Sequence, residues 1–139
     1  MTIIVCGGRD YMDADQVFKS LDRLHAICPI DLVLHGAQTG ADTHGENWAK
    51  AREINYFGLP AKWKKYGLSA GPRRNAELLT LPGIHFTIAF PGGTGTADMV
   101  KKSLAKGVPV LVSPGSLRVK EIQDRCRAIT TPLTDTQER

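Results

Sequence analysis

Short apolar runs alternate with amphipathic segments along most of the chain. Each apolar run is bounded by glycine, proline or polar residues, as expected for buried strands of a parallel sheet. Between the runs, apolar residues recur at spacings of three and four, which is the period of a helix with one buried face. The runs that predict strands cover residues 3–6, 31–35, 55–59, 84–90 and 108–112.

This alternation predicts the fold class. Strands that alternate with helices from end to end are typical of an α/β fold whose parallel sheet is covered by helices. We therefore expect a single doubly wound, Rossmann-like, mainly parallel sheet of about five strands with helices on both faces. In such sheets, ligands bind beyond the carboxyl ends of the strands.

The helix predicted over residues 96–106 has an apolar face made of Ala97, Val100 and Leu104, which we expect to pack against the sheet. The basic and aromatic stretch over residues 60–69 is predicted to be a loop. The remaining predicted helices begin near Asp13, Asp42 and Pro72 and, near the C-terminus, cover residues 119–128.

The chain divides into a core and a C-terminal extension. With 139 residues, it is long enough to form one domain with a buried core. We expect residues 1–113 to form the core, residues 114–129 to add a helix that packs on it, and residues 130–139 to be a flexible polar tail. The first apolar run ends at Gly7, which is too short for a signal peptide or a membrane span, so no membrane partner is expected.

The composition restricts the classes of partner. The formal net charge of +4 suits an anionic ligand. Aromatic residues make up only 6% of the chain, so a stacking platform for single-stranded nucleic acid is not indicated and a nucleic-acid partner is disfavoured. No group of histidines and cysteines has the spacing of zinc ligands, and neither a metal ion nor a cofactor is expected.

The three cysteines, Cys6, Cys28 and Cys126, favour a reducing compartment. Their number is odd, no CxxC motif occurs and the spacing suggests no pairing, so we expect free thiols and a cytoplasmic protein. Cys6 ends the first predicted strand, and we interpret it as a small buried residue rather than a nucleophile.

A glycine-rich turn follows the fourth predicted strand. Gly92, Gly93, Thr94, Gly95 and Thr96 lie between that strand and the next predicted helix. Glycines let backbone N–H groups approach an anion closely, and a helix N-terminus adds unpaired donors and the positive end of its dipole. The pattern predicts that these five residues bind a phosphate group.

A second turn, Gly7, Gly8 and Arg9, follows the first predicted strand. The arginine is a planar donor with the reach to bind a phosphate. The turn is neither the GxGxxG dinucleotide fingerprint nor a Walker A loop, which the chain does not contain. We predict that these three residues extend the phosphate site.

A third turn follows the second predicted strand and contains Gly36 and Gly40, with Asp42 at the start of the next helix. This aspartate has two interpretations. It either caps the helix N-terminus or accepts hydrogen bonds from the hydroxyl groups of a ribose. The two glycines are predicted to make the tight loop that a ligand would approach.

The fourth segment begins the helix near Pro72 with Arg73, Arg74 and Asn75. Paired arginines are unusual at this end of a helix because the dipole disfavours cations there. An anion between the two arginines would remove the conflict; alternatively, one of them is simply solvated. The choice of Arg74, with Asn75, as ligand-binding residues comes from the resemblance to a known family. Trp63 and Tyr66, just upstream, either cover a base or pack as part of the core or a lid.

Taken together, the segments resemble the SLOG superfamily of Rossmann-like nucleotide-binding domains, and above all its small YspA-like branch. The resemblance covers roughly residues 2–113. It implies a nucleotide or a nucleotide-derived ligand and, by analogy, a homo-oligomer of two or more copies. The residues that carry it are Gly7-Gly8-Arg9-Asp10, His35-Gly36, Gly40-Ala41-Asp42, Trp63, Tyr66-Gly67, Ala70-Gly71-Pro72, Arg74-Asn75, Phe90-Pro91-Gly92-Gly93 and Gly95-Thr96.

The superfamily includes the Lonely Guy phosphoribohydrolases, which cleave the N-glycosidic bond of nucleoside 5′-monophosphates. Their signature is similar to PGGxGTxxE, with a catalytic glutamate at its end and a catalytic arginine on the preceding helix. The arginine position matches Arg74, but the glutamate position is Met99, whose thioether cannot stabilise positive charge on a ribose. Asp98 lies about 100° further round the helix and is expected to face elsewhere. Other carboxylates that could replace the glutamate are Asp42, Glu46 and Glu77.

Functions of different classes remain open at this point. The first is a module that binds a nucleotide-like phosphorylated molecule, as a sensor or a sponge of nucleotide signals. The second is a nucleotide N-glycosidase or a related hydrolase, in which Arg74 would be catalytic. A third, DNA binding similar to that of DprA, is disfavoured because the chain has no long basic stripe and no second domain.

Overall fold

The computed structural model describes residues 1–130, without the side chain of Thr130. A single sheet of five parallel strands has the order β3-β2-β1-β4-β5. The fold class predicted from the apolar pattern is therefore confirmed. The strands are β1 (Thr2–Cys6), β2 (Leu32–His35), β3 (Asn55–Gly58), β4 (Ile84–Ala89) and β5 (Val110–Val112).

Helices pack around this sheet. The chain starts in the middle of the sheet, adds β2 and β3 on one side, and then crosses to place β4 on the other side of β1. The carboxyl ends of β1 and β4 therefore form the point at which the strand order reverses. The helices are α1 (Ala14–Ile27), α2 (Ala41–Ala51), α3 (Trp63–Tyr66), α4 (Ala70–Leu78), α5 (Thr94–Ala105) and α6 (Val119–Thr130).

Alternate residues of the strands enter two separate apolar clusters. Ile3 and Val5 of β1 pack in one cluster with side chains of α1, α2 and α6. Ile4 and Cys6 pack in the other with side chains of α4 and α5. Because side chains of a strand point to opposite faces in turn, this division shows why the apolar runs are continuous rather than alternating.

Residues 60–69, predicted to be a loop, are largely helical. They contain α3 and a 3₁₀ turn, Gly67–Ser69, which leads directly into α4. Gly67 has a φ of +55° and ends α3, a conformation that L side chains rarely adopt. Trp63 packs against α4, because Gly71 has no side chain and leaves room for the indole ring.

The inward face predicted for α5 is only partly correct. Val100 packs against the core as predicted. Ala97 is exposed and Leu104 is 59% exposed, whereas Met99 is 2% exposed and Ser103 is fully buried. The hydroxyl groups of Ser103 and Thr87, on β4, lie 2.8 Å apart and form a buried hydrogen bond. A polar pair in the core satisfies its own hydrogen bonding, and the apolar pattern could not indicate it.

The cysteine prediction also needs correction. Cys28, at the C-cap of α1, and Cys126, on α6, form a disulfide with a Cα–Cα distance of 5.6 Å. The two cysteines are 98 residues apart in sequence, so local spacing could not indicate that they pair. Cys6 is a free, buried thiol, as interpreted from the sequence.

The C-terminal helix is longer than predicted. It reaches Thr130, and its Ile122 is fully buried in the cluster that contains α1 and α2. The rest of the tail predicted over residues 130–139 lies outside the described residues. Among residues 1–130, no helix is long and apolar enough to cross a lipid bilayer.

The two faces of α5 can be tested by a matched pair of variants. We expect Met99→Ala to lower the free energy of unfolding by roughly 2–5 kcal/mol, because it leaves a cavity in the core. We expect Leu104→Ala to change it by less than about 0.5 kcal/mol, because that side chain faces solvent. Urea denaturation measures both free energies of unfolding. A larger loss for Leu104→Ala than for Met99→Ala would support the buried face predicted from the sequence.

Candidate functional site

A cleft of about 1150 Å³ opens at the carboxyl edge of the sheet, where the strand order reverses between β1 and β4. Its volume is large enough for a nucleotide-sized ligand. The four segments singled out in the sequence all reach it, as expected from the topology. The predicted site residues in its lining are Gly7, Gly8, Arg9, Gly36, Asp42, Arg74, Asn75, Gly92, Gly93, Thr94, Gly95 and Thr96.

The turns after β1 and β4 touch each other through their backbones. The N–H of Gly8 donates to the carbonyl of Pro91 at 2.8 Å. A Cβ at Gly8 would lie 3.1 Å from that carbonyl, and one at Gly92 would lie 2.6 Å from the Gly8 nitrogen. A side chain at position 92 would therefore overlap the backbone of Gly8, and one at position 8 would be tight against the Pro91 carbonyl.

The turn after β4 presents the N-terminus of α5 to the cleft. Gly93 is the N-cap, without a side-chain hydrogen bond, and the first bond within the helix runs from the N–H of Ala97 to the Gly93 carbonyl. The preceding N–H groups have no partner in the helix. Gly93 and Gly95 both border the cleft, and a Cβ at either position would meet nothing within 4 Å, so there is open space beside them.

Asp42 does not cap α2, whose N-cap is Gly40. Its carboxylate accepts hydrogen bonds from the N–H groups of Gly36 at 3.0 Å and Gln38 at 3.3 Å. It therefore holds the turn after β2 in place. Burial raises the pKa of this carboxyl, and the two N–H donors and the Arg74 charge oppose that rise.

Gly40 does not line the cleft but packs against the backbone of the turn after β1, which does. Its φ is +76°, and a Cβ there would overlap the backbone of Gly8 and Arg9. The neighbouring N–H of Ala41 donates to the Gly8 carbonyl at 3.1 Å, and the Thr39 hydroxyl donates to the Arg9 carbonyl at 2.9 Å. The turns after β1 and β2 are thus joined as well.

Arg74 and Asn75 tie α4 to the other segments. Arg74, 8% exposed, donates from Nη1 to the Gly36 carbonyl and from Nε to the Asn75 side-chain oxygen. Burial lowers the pKa of Arg74, and the nearby Asp42 charge opposes this. Asn75 in turn donates to the Gly95 carbonyl at 3.2 Å and to the Asp98 carboxylate at 3.0 Å. All four segments are therefore connected by hydrogen bonds.

The expectation that Asp98 faces elsewhere is wrong. It borders the cleft, where its carboxylate accepts hydrogen bonds from Asn75 and from Lys102, the latter at 2.5 Å. Met99, which also borders the cleft, packs inwards against Ile4 and Leu78. A helix turns by about 100° per residue, so Asp98 and Met99 point in different directions, but the cleft is wide enough for both to border it.

The other carboxylates considered from the sequence lie off the cleft. Glu46 accepts a hydrogen bond from Nε2 of the buried His35 at 2.9 Å and pairs with Lys50 at 3.1 Å. Glu77 is exposed on α4. The Cys6 thiol borders the cleft, but burial raises its pKa to about 12, so it is not a nucleophile at neutral pH.

The aromatic residues near α4 separate into two groups. Trp63 borders the cleft and is 44% exposed, with the Arg9 guanidinium 5.7 Å from the ring centroid. Tyr66 does not line the cleft, and the guanidinium carbon of the exposed Arg73 lies 4.3 Å from the centroid of its ring. Of the two adjacent arginines, Arg74 is buried and borders the cleft, whereas Arg73 is exposed and does not line it.

Several lining residues were not singled out from the sequence. Leu68 lies in the 3₁₀ turn before α4 and Gln38 in the turn after β2, and both border the cleft. For Asp98, a local signal was present in Lys102, because residues four apart on a helix are neighbours. Its other partner, Asn75, lies on a different helix. Position on a helical wheel alone was not enough to place it.

The comparisons with known proteins decide the family. The model of the YspA, cpYpsA-related SLOG family matches residues 1–66. Gene 61 protein of Mycobacterium phage D29 is 30% identical over 117 residues, which cover 78% of this chain and 93% of that protein. The chain belongs to the YspA-related SLOG family. The matched region contains the turns after β1 and β2, and the resemblance stated from the motifs is confirmed.

A solved structure shows the same fold. DNA processing protein A (DprA) from Streptococcus pneumoniae superposes with a TM-score of 0.60 at 17% identity. The match covers 92% of this chain and 55% of the DprA chain. This SLOG-family chain thus spans little more than half the length of that protein, and the likeness concerns the fold alone.

The structural role of Arg74 can be tested against its neighbour. We expect Arg74→Ala to lower the free energy of unfolding by roughly 1.5–3 kcal/mol, because the buried Gly36 carbonyl and Asp42 lose a charged partner. The exposed Arg73→Ala should change it by less than about 0.5 kcal/mol. Chemical denaturation compares them, and equal effects of the two variants would contradict this description of the site.

Proposed function

We propose that the protein binds a nucleotide or a nucleotide-derived phosphorylated molecule in the cleft between β1 and β4. The observation that carries the proposal is the uncapped N-terminus of α5, whose glycine backbone at Gly93 and Gly95 is open to the cleft. Unpaired N–H groups and the positive end of the helix dipole favour a phosphate there. Membership of the SLOG family supports a nucleotide-related role.

Two arginines support the same ligand chemistry. Within residues 1–130, the hydrogen bonds of the Arg74 guanidinium use Nε and Nη1, which leaves Nη2 as a donor for a ligand. The charge of Arg9 acts on Arg74 and contributes to lowering its pKa, so the two guanidinium groups repel each other. A phosphate bound between them would convert that repulsion into attraction, and its charge would be held by planar donors.

Gly93→Asp tests the phosphate site. A Cβ at position 93 meets no protein atom within 4 Å, and aspartate is a favoured N-cap residue, so the variant should fold as well as the original. Its carboxylate would occupy the anion site at the start of α5. We expect the affinity for 5′-AMP and for ribose 5-phosphate, measured by isothermal titration calorimetry, to fall by roughly tenfold or more.

Gly93→Ala is the matched control, because it adds a Cβ into the same open space without a charge. Its affinity should stay close to that of the original protein. Unchanged affinity of Gly93→Asp for AMP would show that the phosphate binds elsewhere. If the original protein binds none of the four nucleoside 5′-monophosphates, the proposed function itself is wrong.

A second candidate function is hydrolysis of the N-glycosidic bond, and the position of Asp98 favours it. The carboxylate missing from position 99 is present one residue earlier, at the border of the same cleft. In this reaction the bond between C1′ and the base nitrogen breaks, water adds its oxygen to C1′, and the base leaves with a proton. A carboxylate near the ribose would stabilise the positive charge that develops on the sugar.

Asp98→Asn tests this candidate, because it keeps the shape and removes the charge. If the protein releases adenine from AMP, we expect the variant to lower the rate by roughly 100-fold or more while AMP still binds. Chromatography of the products measures the rate, and Glu77→Gln, on the exposed side of α4, should leave it unchanged. Equal rates for the Asp98 variant and the original protein would exclude this role.

Assembly and location stay predictions. Native mass spectrometry of the purified protein measures the number of copies and the mass of a co-purifying small molecule in one experiment. A bound, intact nucleotide would favour a binding module over a hydrolase. We do not propose DNA binding, because the likeness to DprA at 17% identity shows the fold alone.

A further inference from the structure

The cleft has a second chemical character besides its polar glycine turns. The segment that leads into α4 lines it with apolar surface, above all Trp63 and Leu68. Trp63 is 44% exposed and Leu68 is 96% exposed. Large apolar side chains that gather exposed at a cleft indicate a binding surface, whereas isolated ones do not.

The indole of Trp63 is held in place by its surroundings. It packs along α4 at Gly71, where a Cβ would lie only 3.3 Å from Cη2 of the ring. Any larger residue at position 71 would push the ring away from the helix. The other tryptophan of the chain, Trp48, is fully buried in α2 and outside the cleft, so exposure is specific to Trp63.

One face of this ring is only loosely covered. The Arg9 guanidinium carbon lies 5.7 Å from the ring centroid, whereas a stacked planar group sits at about 3.5–4.0 Å. Within residues 1–130, the Arg9 side chain makes no ion pair that would fix it there. A planar ligand group can therefore replace the guanidinium on the ring without breaking a salt bridge.

We propose that Trp63 is the platform on which the base of a nucleoside 5′-phosphate stacks, with Arg9 displaced from the ring and turned towards the phosphate. This inference rests on the proposed function, and it names the ligand class as a base, a sugar and a 5′-phosphate bound together. Stacking on an indole is tolerant of base identity, because every base offers a π face. The polar turns then recognise the phosphate and the indole recognises the base.

The experiment uses the full chain with AMP, GMP, CMP, UMP and ribose 5-phosphate. Because Trp48 is buried away from the cleft, a change in tryptophan emission on adding AMP reports on Trp63. We expect AMP to quench the emission, and ribose 5-phosphate to bind in calorimetry without quenching it. A stacked base contributes roughly 1–3 kcal/mol, so AMP should bind about 5- to 150-fold more tightly than ribose 5-phosphate.

Trp63→Leu should remove this difference. Its affinity for AMP should fall to that for ribose 5-phosphate, which itself should not change. Trp63→Phe keeps an aromatic ring and should retain part of the affinity, which separates loss of stacking from loss of folding. Tyr56→Leu is the matched control, because Tyr56 is 42% exposed on β3, outside the cleft, and its removal should change neither affinity.

Three contrary results have different meanings. If Trp63→Leu binds AMP as tightly as the original protein, and Gly93→Asp still weakens binding, the stacking platform is wrong and the phosphate site stands. If neither AMP nor ribose 5-phosphate binds the original protein, the proposed function and this inference both fail. An AMP-induced quench that occurs at the same AMP concentration in Gly93→Asp as in the original protein would also overturn the inference, because base and phosphate would then not bind as one ligand.

Discussion

The cleft depends on one buried interaction, the hydrogen bond from the Arg74 guanidinium to the Gly36 carbonyl. It joins the start of α4 to the turn after β2, across the end of the sheet. A buried charge is costly unless it is paired, and Asp42 supplies the opposing charge while it holds the same turn through the Gly36 N–H. The guanidinium approaches so closely that a side chain at position 36 would overlap it, so that glycine and the arginine require each other.

The topology explains why so many glycines meet at this place. The strand order reverses between β1 and β4, so their connections run in opposite directions and leave a crevice at the carboxyl edge. The turns that border it approach each other through backbone atoms, as the bond from Gly8 to the Pro91 carbonyl shows. In the proposed function, the backbone of these turns would recognise the phosphate, and residues outside the turns, such as Trp63, would recognise the rest of the ligand.

Much of this arrangement could be predicted from the sequence, because it depends on local patterns. Continuous apolar runs gave the strands, and glycines after strands marked the turns that line the cleft. The errors concern contacts between residues distant in sequence. The buried face of α5 depends on the hydroxyl pair of Ser103 with Thr87, and the pairing of Cys28 with Cys126 spans 98 residues. The direction of Asp98 depends on Asn75 of another helix. None of these partners leaves a signal in the local spacing.

The surroundings of Asp98 also bear on the choice between binding and hydrolysis. Partial burial would raise the pKa of its carboxyl, but the hydrogen bonds from Lys102 and Asn75 outweigh this and lower the pKa. The group is therefore ionised at neutral pH and cannot donate a proton to a departing base. Its charge is also shared with Lys102, which weakens its effect on a positive ribose. Hydrolysis would thus need a proton donor from elsewhere in the cleft, whereas binding requires no such group. The ionised state of Asp98 therefore supports the proposed binding function over hydrolysis.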